Sequence, residues 1–249
     1  MIIIKTDREI ELMRCAGRLV GEVLLEVENA VKPGITTKEL DRIAEKYIIK
    51  HNGRPSFKGY YGFPASICTS VNEEVVHGIP SKSKILREGD IISVDCGAVL
   101  DGYHGDAART FAVGKISPEA EKLIEVTQKS FFKGVEKAVL GNRLTDISVA
   151  VQEYVESFGF SVVRDYVGHG IGSNMHEEPE IPNYGRPGRG PKLVRGMTLA
   201  IEPMVNVGRY NVNIQSNNWT VVTMDRSLSA HYENTIVILD NGPELLTLI

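Results

Sequence analysis

Two histidines, seven residues apart, lie in the glycine-rich segment YVGHGIGSNMHEEPEIPNY, which runs from Tyr166 to Tyr184. Imidazole binds metal ions and transfers protons near neutral pH. Three interpretations are open: His169 and His176 both bind a metal ion, only one does, or the segment is a glycine-rich turn. It is not an HExxH motif, because Pro179 interrupts the helix that this motif needs. We expect a loop that carries the two histidines to different points of one cleft.

Four carboxylates are the other residues whose positions suggest metal chemistry. Asp95 follows the apolar stretch IISV, and Glu202 follows TLAI. Asp106 stands eleven residues after Asp95, and Glu233 precedes the apolar stretch NTIVIL. For each residue taken alone, an ion pair with a lysine or arginine stays open. Four converging carboxylates could not all ionise without cations, whereas a pair of divalent ions removes their repulsion.

Two aspartates, two glutamates and one histidine form an oxygen-rich ligand set with a single imidazole. Such a set suits a pair of Mn, Fe, Co or Zn ions better than Ca or a thiolate zinc site. Two such ions close together turn a water molecule into a nucleophile at neutral pH and polarise a carbonyl group. These residues therefore indicate metal-assisted hydrolysis.

The elements that must position these residues occur in the same order twice. Apolar residues at helical spacing predict four helices, near residues 7–31, 37–52, 118–140 and 145–158. Strand patterns are expected near residues 66–71, 90–94, 108–113, 161–167, 197–202, 219–224 and 232–239. Asp101-Gly102 predicts a tight turn between the second and third of these strands.

A constant offset of 107 residues aligns the two halves. It pairs Gly34 with Gly141 and sets LREGDIISVD over LVRGMTLAIE, so that Asp95 meets Glu202. We interpret this as an internal duplication. Two similar halves would then face each other across a pseudo-two-fold axis, and each would contribute an acidic residue at a strand end.

The composition is that of an ordinary globular protein, with 42% hydrophobic and 24% charged residues in a chain of 249. A net charge of −4 gives no reason to expect a nucleic-acid partner. The three cysteines have no CxxC spacing, which argues against disulfides and fits a reducing compartment. No export signal and no long apolar run is present. We therefore expect a cytoplasmic protein without a membrane or nucleic-acid partner.

Taken together, the motifs resemble those of type I methionine aminopeptidases. The matching segments follow one another along the whole chain: VNEEVVHGIP, DCGAVLDGYHGDAART, GHGIGSNMHEEPEIPNY, IEPM and HYENT. The resemblance implies the α/β (α+β) pita-bread fold of creatinase and aminopeptidases, two pseudo-symmetric halves with helices outside a curved antiparallel sheet. No N-terminal extension and no type II insertion is seen, so the chain is similar to the short bacterial form. We expect one catalytic domain over 1–249, with repeats at about 1–113 and 117–249.

The resemblance also implies roles for individual residues. The family's metal-ligand positions correspond to Asp95, Asp106, His169, Glu202 and Glu233. Asp106 and Glu233 would bridge the two ions, and Glu202 would also carry a proton from the attacking water. His77 and His176 would touch substrate without binding metal. His176 would face the scissile carbonyl, and His77 would face the scissile amide and the second residue.

The methionine side chain is expected in an apolar pocket. The residues that would contact substrate are Tyr60, Phe63, Cys68, His77, Met175, His176 and Trp219. Phe63 and Met175 stand where family members can carry tyrosine and phenylalanine. Both replacements are apolar, so a methionine side chain still fits, while the shape of the pocket stays open.

The activity implied by the resemblance is removal of the initiator methionine from nascent proteins with a small second residue. The reaction would be attack of a metal-activated hydroxide on the first peptide bond, with two divalent ions (Co, Mn, Fe or Zn) as cofactors. Nascent polypeptides are the expected partners, with the ribosome as a candidate docking partner, and the protein is expected to be a monomer. Two alternatives stay open: a non-catalytic peptide- or ribosome-binding module of the same fold, and a dinuclear hydrolase acting on other amides.

Overall fold

The computed structural model describes residues 1–249 and contains four α-helices and fifteen β-strands. The helices are α1 (Asp7–Ala30), α2 (Thr37–Lys50), α3 (Pro118–Val135) and α4 (Leu144–Glu156). The strands of the first half are β1 (Arg54–Pro55), β2 (Cys68–Val71), β3 (Glu74–Val76), β4 (Ile91–Leu100) and β5 (Tyr103–Ala112). The strands of the second half are β6 (Ser161–Val162), β7 (Gly168–Gly170), β8 (Glu177–Ile181), β9 (Thr198–Ile201), β10 (Met204–Asn206), β11 (Val212–Ile214), β12 (Val221–Thr223), β13 (Ser229–His231), β14 (Asn234–Leu239) and β15 (Gly242–Leu245).

Side-chain caps explain where three of the helices begin. The hydroxyls of Thr6, Thr36 and Ser117 each accept a hydrogen bond from the backbone N–H three residues further on. Glu9 and Glu39 complete capping boxes at α1 and α2. The predicted helix over 118–140 is too long, because beyond α3 the chain continues with turns closed by hydrogen bonds between residues three apart.

All strand pairs are antiparallel, and β4 is the centre of the first sheet. One edge of β4 pairs with β5 along ten residues, and the other edge pairs with β1 and β2. Asp101 and Gly102 form the tight turn between β4 and β5, both with positive φ (49° and 83°), as predicted. The second half has a five-stranded sheet in the order β15-β14-β9-β7-β8. Two three-stranded sheets, β13-β10-β6 and β11-β12-β3, complete the fold.

In the first sheet, β4 and β5 are longer than the sequence pattern predicted, and β2 is shorter. β4 continues past Asp95 to Leu100, and β5 starts before Asp106, so neither carboxylate stands at a strand end. The reason is that β4 has two unlike faces. Val94, Cys96 and Ala98 pack in the core against α1 and α2, whereas Asp95 points to the opposite face. If a strand is predicted only from its run of apolar residues, a polar residue in the middle of the strand is mistaken for the strand end.

The offset of 107 residues recurs in the backbone hydrogen bonds. Gly34 N–H donates to the carbonyl of Leu86, and Gly141 N–H donates to that of Leu193, which is the same pair moved by the offset. Helices α2 and α4 begin at residues 37 and 144, again one offset apart. The two halves are therefore pseudo-symmetric in structure. The exact repeat boundaries and the single-domain division of the chain stay predictions.

The helices pack on one side of the sheets. α1 and α2 cover β4 and β5 with one apolar cluster, and α3 and α4 pack against each other and against strands of the second half with two more. The opposite side of β4 and β5 is left uncovered by helices. None of the four helices combines the length and the apolar composition that a membrane span requires. The three cysteines are free, as their spacing predicted.

Candidate active site

A cavity of about 600 Å³ lies on the side of β4 that α1 and α2 do not cover. It brings together residues that are far apart in the chain. Its lining residues include Asp95, Asp106, His169, Glu202 and Glu233, together with His77 and His176. The structure thus gathers all five expected metal ligands and both expected substrate-facing histidines in one place.

The strand register explains how the carboxylates of the two halves meet. In the β4–β5 pair, Gly97 is opposite Asp106 and Asp95 is opposite Ala108, so both carboxylates lie on one face, one diagonal step apart. Glu233 stands immediately before β14. Its backbone exchanges two hydrogen bonds with Ala108, at 2.9 and 3.3 Å. This contact between β5 and the start of β14 joins the halves at the site.

His169 comes from β7, so the expectation that a loop carries it was wrong. β7 pairs with β9, His169 stands opposite Ala200, and Glu202 follows directly after β9. His169 Nε2 lies 3.6 Å from Asp106 Oδ2 and 3.7 Å from Glu202 Oε1. Its Nδ1 lies 2.8 Å from the carbonyl oxygen of Gly170. Since a carbonyl only accepts, Nδ1 carries the proton and the Nε2 lone pair faces the carboxylates.

No lysine or arginine forms an ion pair with these carboxylates. Arg109 lies close enough to Glu233 to offset part of the rise in its pKa, but it donates to the backbone carbonyl of that residue. Their only ion-pair contacts are with histidines, so the alternative of a lysine or arginine salt bridge does not hold. Removal from bulk water raises the pKa of Asp95 to about 7. Burial, followed by repulsion from neighbouring carboxylates, raises the pKa values of Asp106, Glu202 and Glu233 well above the usual range.

Several buried polar atoms here have no hydrogen-bond partner in the protein. They are Asp95 Oδ1, Asp106 Oδ1, Glu233 Oε1 and His231 Nε2. Ligand atoms lie within 4.8 Å of one another in two groups, Asp95 with His231 and Glu233, and Asp106 with His169 and Glu233. Unpaired buried carboxylate oxygens are costly unless cations meet them. These residues therefore fit a pair of divalent cations that share Glu233.

His231 is a residue that the sequence-based reasoning missed, although it lies in the quoted segment HYENT. It ends β13 and is 1% exposed. Its spacing of two residues from Glu233 was the available signal, because alternate residues of an extended chain point to the same side.

The two histidines that are expected to face the substrate reach the cavity from different elements. His77 directly follows β3, has a φ of 58°, and meets Tyr166 edge to face with 5.5 Å between ring centroids. His176 directly precedes β8, and its ring centroid lies 4.2 Å from that of His169. Burial lowers the pKa of His77 to about 4 and also lowers the pKa of His176. Both are therefore neutral at pH 7.

The apolar wall of the cavity contains most of the expected pocket. Tyr60, Phe63, Cys68 and Trp219 all line it, and the Phe63 and Trp219 rings meet edge to face at 5.1 Å. Phe57, Tyr61 and Tyr166 also line it and were not expected from the sequence. Met175 is buried but is not a lining residue. Its methyl group packs beside Gly97 of β4, where a Cβ would lie 3.1 Å from Met175 Cε.

A buried ion pair anchors the loop that carries His176. The ammonium group of Lys5 pairs with the Glu177 carboxylate, and both side chains are at most 3% exposed. Glu177 also accepts a hydrogen bond from the backbone N–H of Asn174. Glu177 therefore ties this segment to the N-terminal residues and, unlike the four carboxylates above, forms an ion pair with a lysine.

Comparisons with known proteins agree with this site. Residues 11–240 match metallopeptidase family M24. The chain is 75% identical over 248 residues to a methionine aminopeptidase of Clostridium acetobutylicum, covering 100% of this chain and 99% of that protein. It is 57% identical to methionine aminopeptidase 1 of Bacillus subtilis, with 99% of each chain covered.

Solved structures show the same fold. The methionine aminopeptidase of Thermotoga maritima superposes with a TM-score of 0.99 at 49% identity, covering 100% of both chains. A prolidase from Pyrococcus furiosus, 24% identical, superposes with a TM-score of 0.80 over 99% of this chain and 66% of its own, which shows a shared fold. The predicted pita-bread fold and the predicted enzyme class are confirmed. The chain belongs to metallopeptidase family M24 and, within that family, to the methionine aminopeptidases.

Proposed function

We propose that this protein hydrolyses the first peptide bond of polypeptides that begin with methionine and have a small second residue. One observation carries the proposal. Four carboxylates without a cationic partner meet His169 in a cavity whose other wall is apolar and aromatic. A cation-binding site beside an apolar pocket suits a substrate with a polar amide and an apolar side chain.

We assign two divalent ions to this site. Asp106 and Glu233 would be shared between the ions, Asp95 would complete one position, and His169 and Glu202 would complete the other. Carboxylates with an imidazole favour Mn, Fe, Co or Zn. When bound, such ions lower the pKa of water and polarise a carbonyl group.

Glu202 is the residue that we assign to proton transfer. It lies beside His169, with its side chain 14% exposed to the cavity, so it can reach both the ligand cluster and the substrate. A carboxylate in this position can accept the proton of the attacking water and return it to the leaving amine. Its position after β9, opposite β7, keeps it rigid relative to the ligands.

His176 is assigned to the oxygen of the scissile carbonyl. The Tyr60 hydroxyl lies 2.8 Å from His176 Nδ1, and burial raises the pKa of Tyr60, so the phenol keeps its proton. A phenol that donates to Nδ1 leaves the proton of the neutral imidazole on Nε2. His176 then presents an N–H donor where negative charge develops on the carbonyl oxygen.

His77 and the aromatic wall are assigned to substrate selection. Trp219 and Phe63 offer ring edges and faces that a thioether side chain contacts favourably. The His77 ring stands edge-on to Tyr166 and, at 6.4 Å, to Trp219. A large second residue of the substrate would meet this cluster, which supports a preference for small ones.

A peptide panel tests the proposal. The protein, reconstituted with Co, Mn, Fe or Zn, should release methionine from Met-Ala-Ser and leave peptides that begin with leucine or proline intact. Release of leucine or proline without release of methionine would instead support a dinuclear hydrolase acting on other amides. A protein that binds no divalent ion, even when purified without oxygen or chelators, would favour the non-catalytic binding module.

Replacing His176 by alanine should lower kcat by about 10²–10³-fold, the scale of one lost oxyanion donor. Bound metal, measured by elemental analysis, should stay at the wild-type level, because His176 is assigned to substrate. His51→Ala, at the end of α2, is the matched control and should leave kcat unchanged. Loss of metal from the His176 variant would contradict the assignment.

The cellular setting follows from the same proposal. We place the reaction in the cytoplasm on nascent polypeptides, with the protein acting as a monomer and the ribosome as a candidate docking partner. Three free cysteines suit a reducing compartment. No nucleic-acid substrate is part of the proposal, because the net charge is −4.

A further inference from the structure

His231 faces the carboxylates with an unpaired nitrogen. Its side chain is 2% exposed, and Nε2 has no hydrogen-bond partner. Nε2 lies 3.8 Å from Glu233 Oε2 and 4.0 Å from Glu202 Oε2. These separations are too long for hydrogen bonds. The separation of 3.8 Å from Glu233 suits two ligands of one ion, because metal–ligand bonds of about 2.1 Å set neighbouring ligand atoms roughly 3–4 Å apart.

His169 shows the same arrangement. Its Nε2 lies 3.6 Å from Asp106 Oδ2 and 3.7 Å from Glu202 Oε1. The two histidines thus flank Glu202, and each faces a different oxygen of its carboxylate. Each also belongs to a group of possible ligands that contains one aspartate and Glu233. By distance, burial and neighbours, His231 is as well placed for an ion as His169.

The backbone of His231 is held in place by the strand that carries Asp106. The Thr110 hydroxyl of β5 accepts a hydrogen bond from His231 N–H at 2.9 Å and lies 2.8 Å from the carbonyl of His231. The same hydroxyl lies 2.8 Å from Ser93 Oγ in β4. Residues of β4 and β5 therefore hold the backbone from which this imidazole projects, which supports a fixed ligand position.

We propose that His231 is a further ligand of the metal centre and binds, through Nε2, the ion that Asp95 and Glu233 hold. The inference rests on the metal-dependent function proposed above and extends it. Each ion then receives one imidazole, His169 at one position and His231 at the other. Because imidazole suits Zn, Fe and similar ions better than Mg or Ca, both positions would select transition-metal ions.

The alternative role for His231 is to donate a hydrogen bond to a ligand carboxylate. Two substitutions distinguish this role from metal binding. His231→Gln keeps an N–H donor but removes the imidazole, and His231→Leu removes both. His51→Gln is the control for loss of a histidine away from the cavity. X-ray absorption on the zinc-loaded protein counts imidazoles around the ions, and calorimetric titration measures the affinity of each ion.

Zinc-loaded wild-type protein should show two imidazoles for two bound ions, a result that needs no variant to fold. His231→Gln and His231→Leu should each lose one imidazole. Both should bind one ion more than about 100-fold more weakly, beyond the roughly 10–100-fold cost of losing an outer contact. His51→Gln should match the wild type.

Two bound ions with a single imidazole in the wild type would overturn the assignment of His231. So would wild-type affinity in His231→Gln together with weak binding in His231→Leu, which is the pattern of a hydrogen-bond donor. Neither outcome would affect the proposed activity. Failure of the wild-type protein to bind any divalent ion would instead overturn the proposed function itself.

Discussion

Replacing Asp106 by alanine should lower kcat/KM for Met-Ala-Ser by more than about 10³-fold and reduce bound metal below two ions per chain. Asp106 lies in the middle of β5, beside His169 Nε2 and one diagonal step from Asp95. Glu233 is the only other carboxylate assigned to both ions. Removal of Asp106 therefore weakens both positions at once, and the transition state loses several kcal/mol of stabilisation.

The fold should survive this substitution, so that the loss can be assigned to chemistry. Asp106 has its pKa raised by burial and by neighbouring carboxylates, which means that its charge is unfavourable without metal. Asp106→Asn keeps the volume and removes the charge, so the metal-free variant should unfold at the wild-type temperature or higher. Asp240→Ala, on the exposed chain after β14, is the control and should keep metal and rate. Near-normal turnover and metal content in Asp106→Ala would rule out the two-ion site.

The metal-free protein should become less stable as the pH rises from about 6.5 to 8. In this window the unfolded chain has ionised its aspartates and glutamates, whose usual pKa values are about 4. The folded protein still holds protons on its cluster, because the pKa of Asp95 is raised to about 7 and those of Asp106, Glu202 and Glu233 are raised well above their ordinary values. The folded state thus binds more protons, so the free energy of unfolding falls as the pH rises.

The histidines set the lower limit of this pH range, at about pH 6.5. Burial lowers the pKa values of His169 and His231 to about 3. In the unfolded chain these groups take up protons below about pH 6.5, so their contribution to stability is lost as the pH falls. Below pH 6.5 this opposes the effect of the carboxylates. Above it this opposition fades as the unfolded histidines lose their protons, and the carboxylates dominate, each with a slope of up to about 1.4 kcal/mol per pH unit.

Thermal unfolding followed by circular dichroism checks this prediction. Chelator-treated, dialysed protein should show a midpoint that decreases between pH 6.5 and 8. Protein reloaded with Mn or Co should not, because bound cations keep the carboxylates ionised and metal binding releases protons. The metal-free Asp106→Asn variant should show a smaller slope than the wild type. A metal-free midpoint that rises over this range would mean that the cluster holds no protons.

The helices were the elements best predicted from the sequence. Thr6, Thr36 and Ser117 mark helix starts through local hydrogen bonds, and the apolar spacing that follows is a property of a few turns. Strand limits were predicted less well. Asp95 and Asp106 lie within strands, although the sequence pattern placed strand ends near them. The face that they occupy borders a cavity, and the sequence pattern does not reveal what each face of a strand meets.

Most residues that the structure gathers in the cavity were predicted from the sequence, through carboxylates next to apolar runs, the offset of 107 residues and the resemblance to a family, and their roles stay predictions. His231 and Met175 are the exceptions. His231 becomes notable only when the contact between β5 and the start of β14 brings Glu233 to Asp106. Met175 was expected to line the pocket, but it is buried beside Gly97 and is not among the residues that line the cavity.

The sequence by itself determined the helix starts, the duplicated order of elements, the free cysteines and the types of side chain available for metal chemistry. Those properties depend on near neighbours in the chain or on composition. Only the tertiary structure decided that the carboxylates lack a cationic partner, that Tyr60 meets His176, and that two histidines flank Glu202. These features depend on the register between strands far apart in the chain, where a shift of one residue would turn each side chain to the other face.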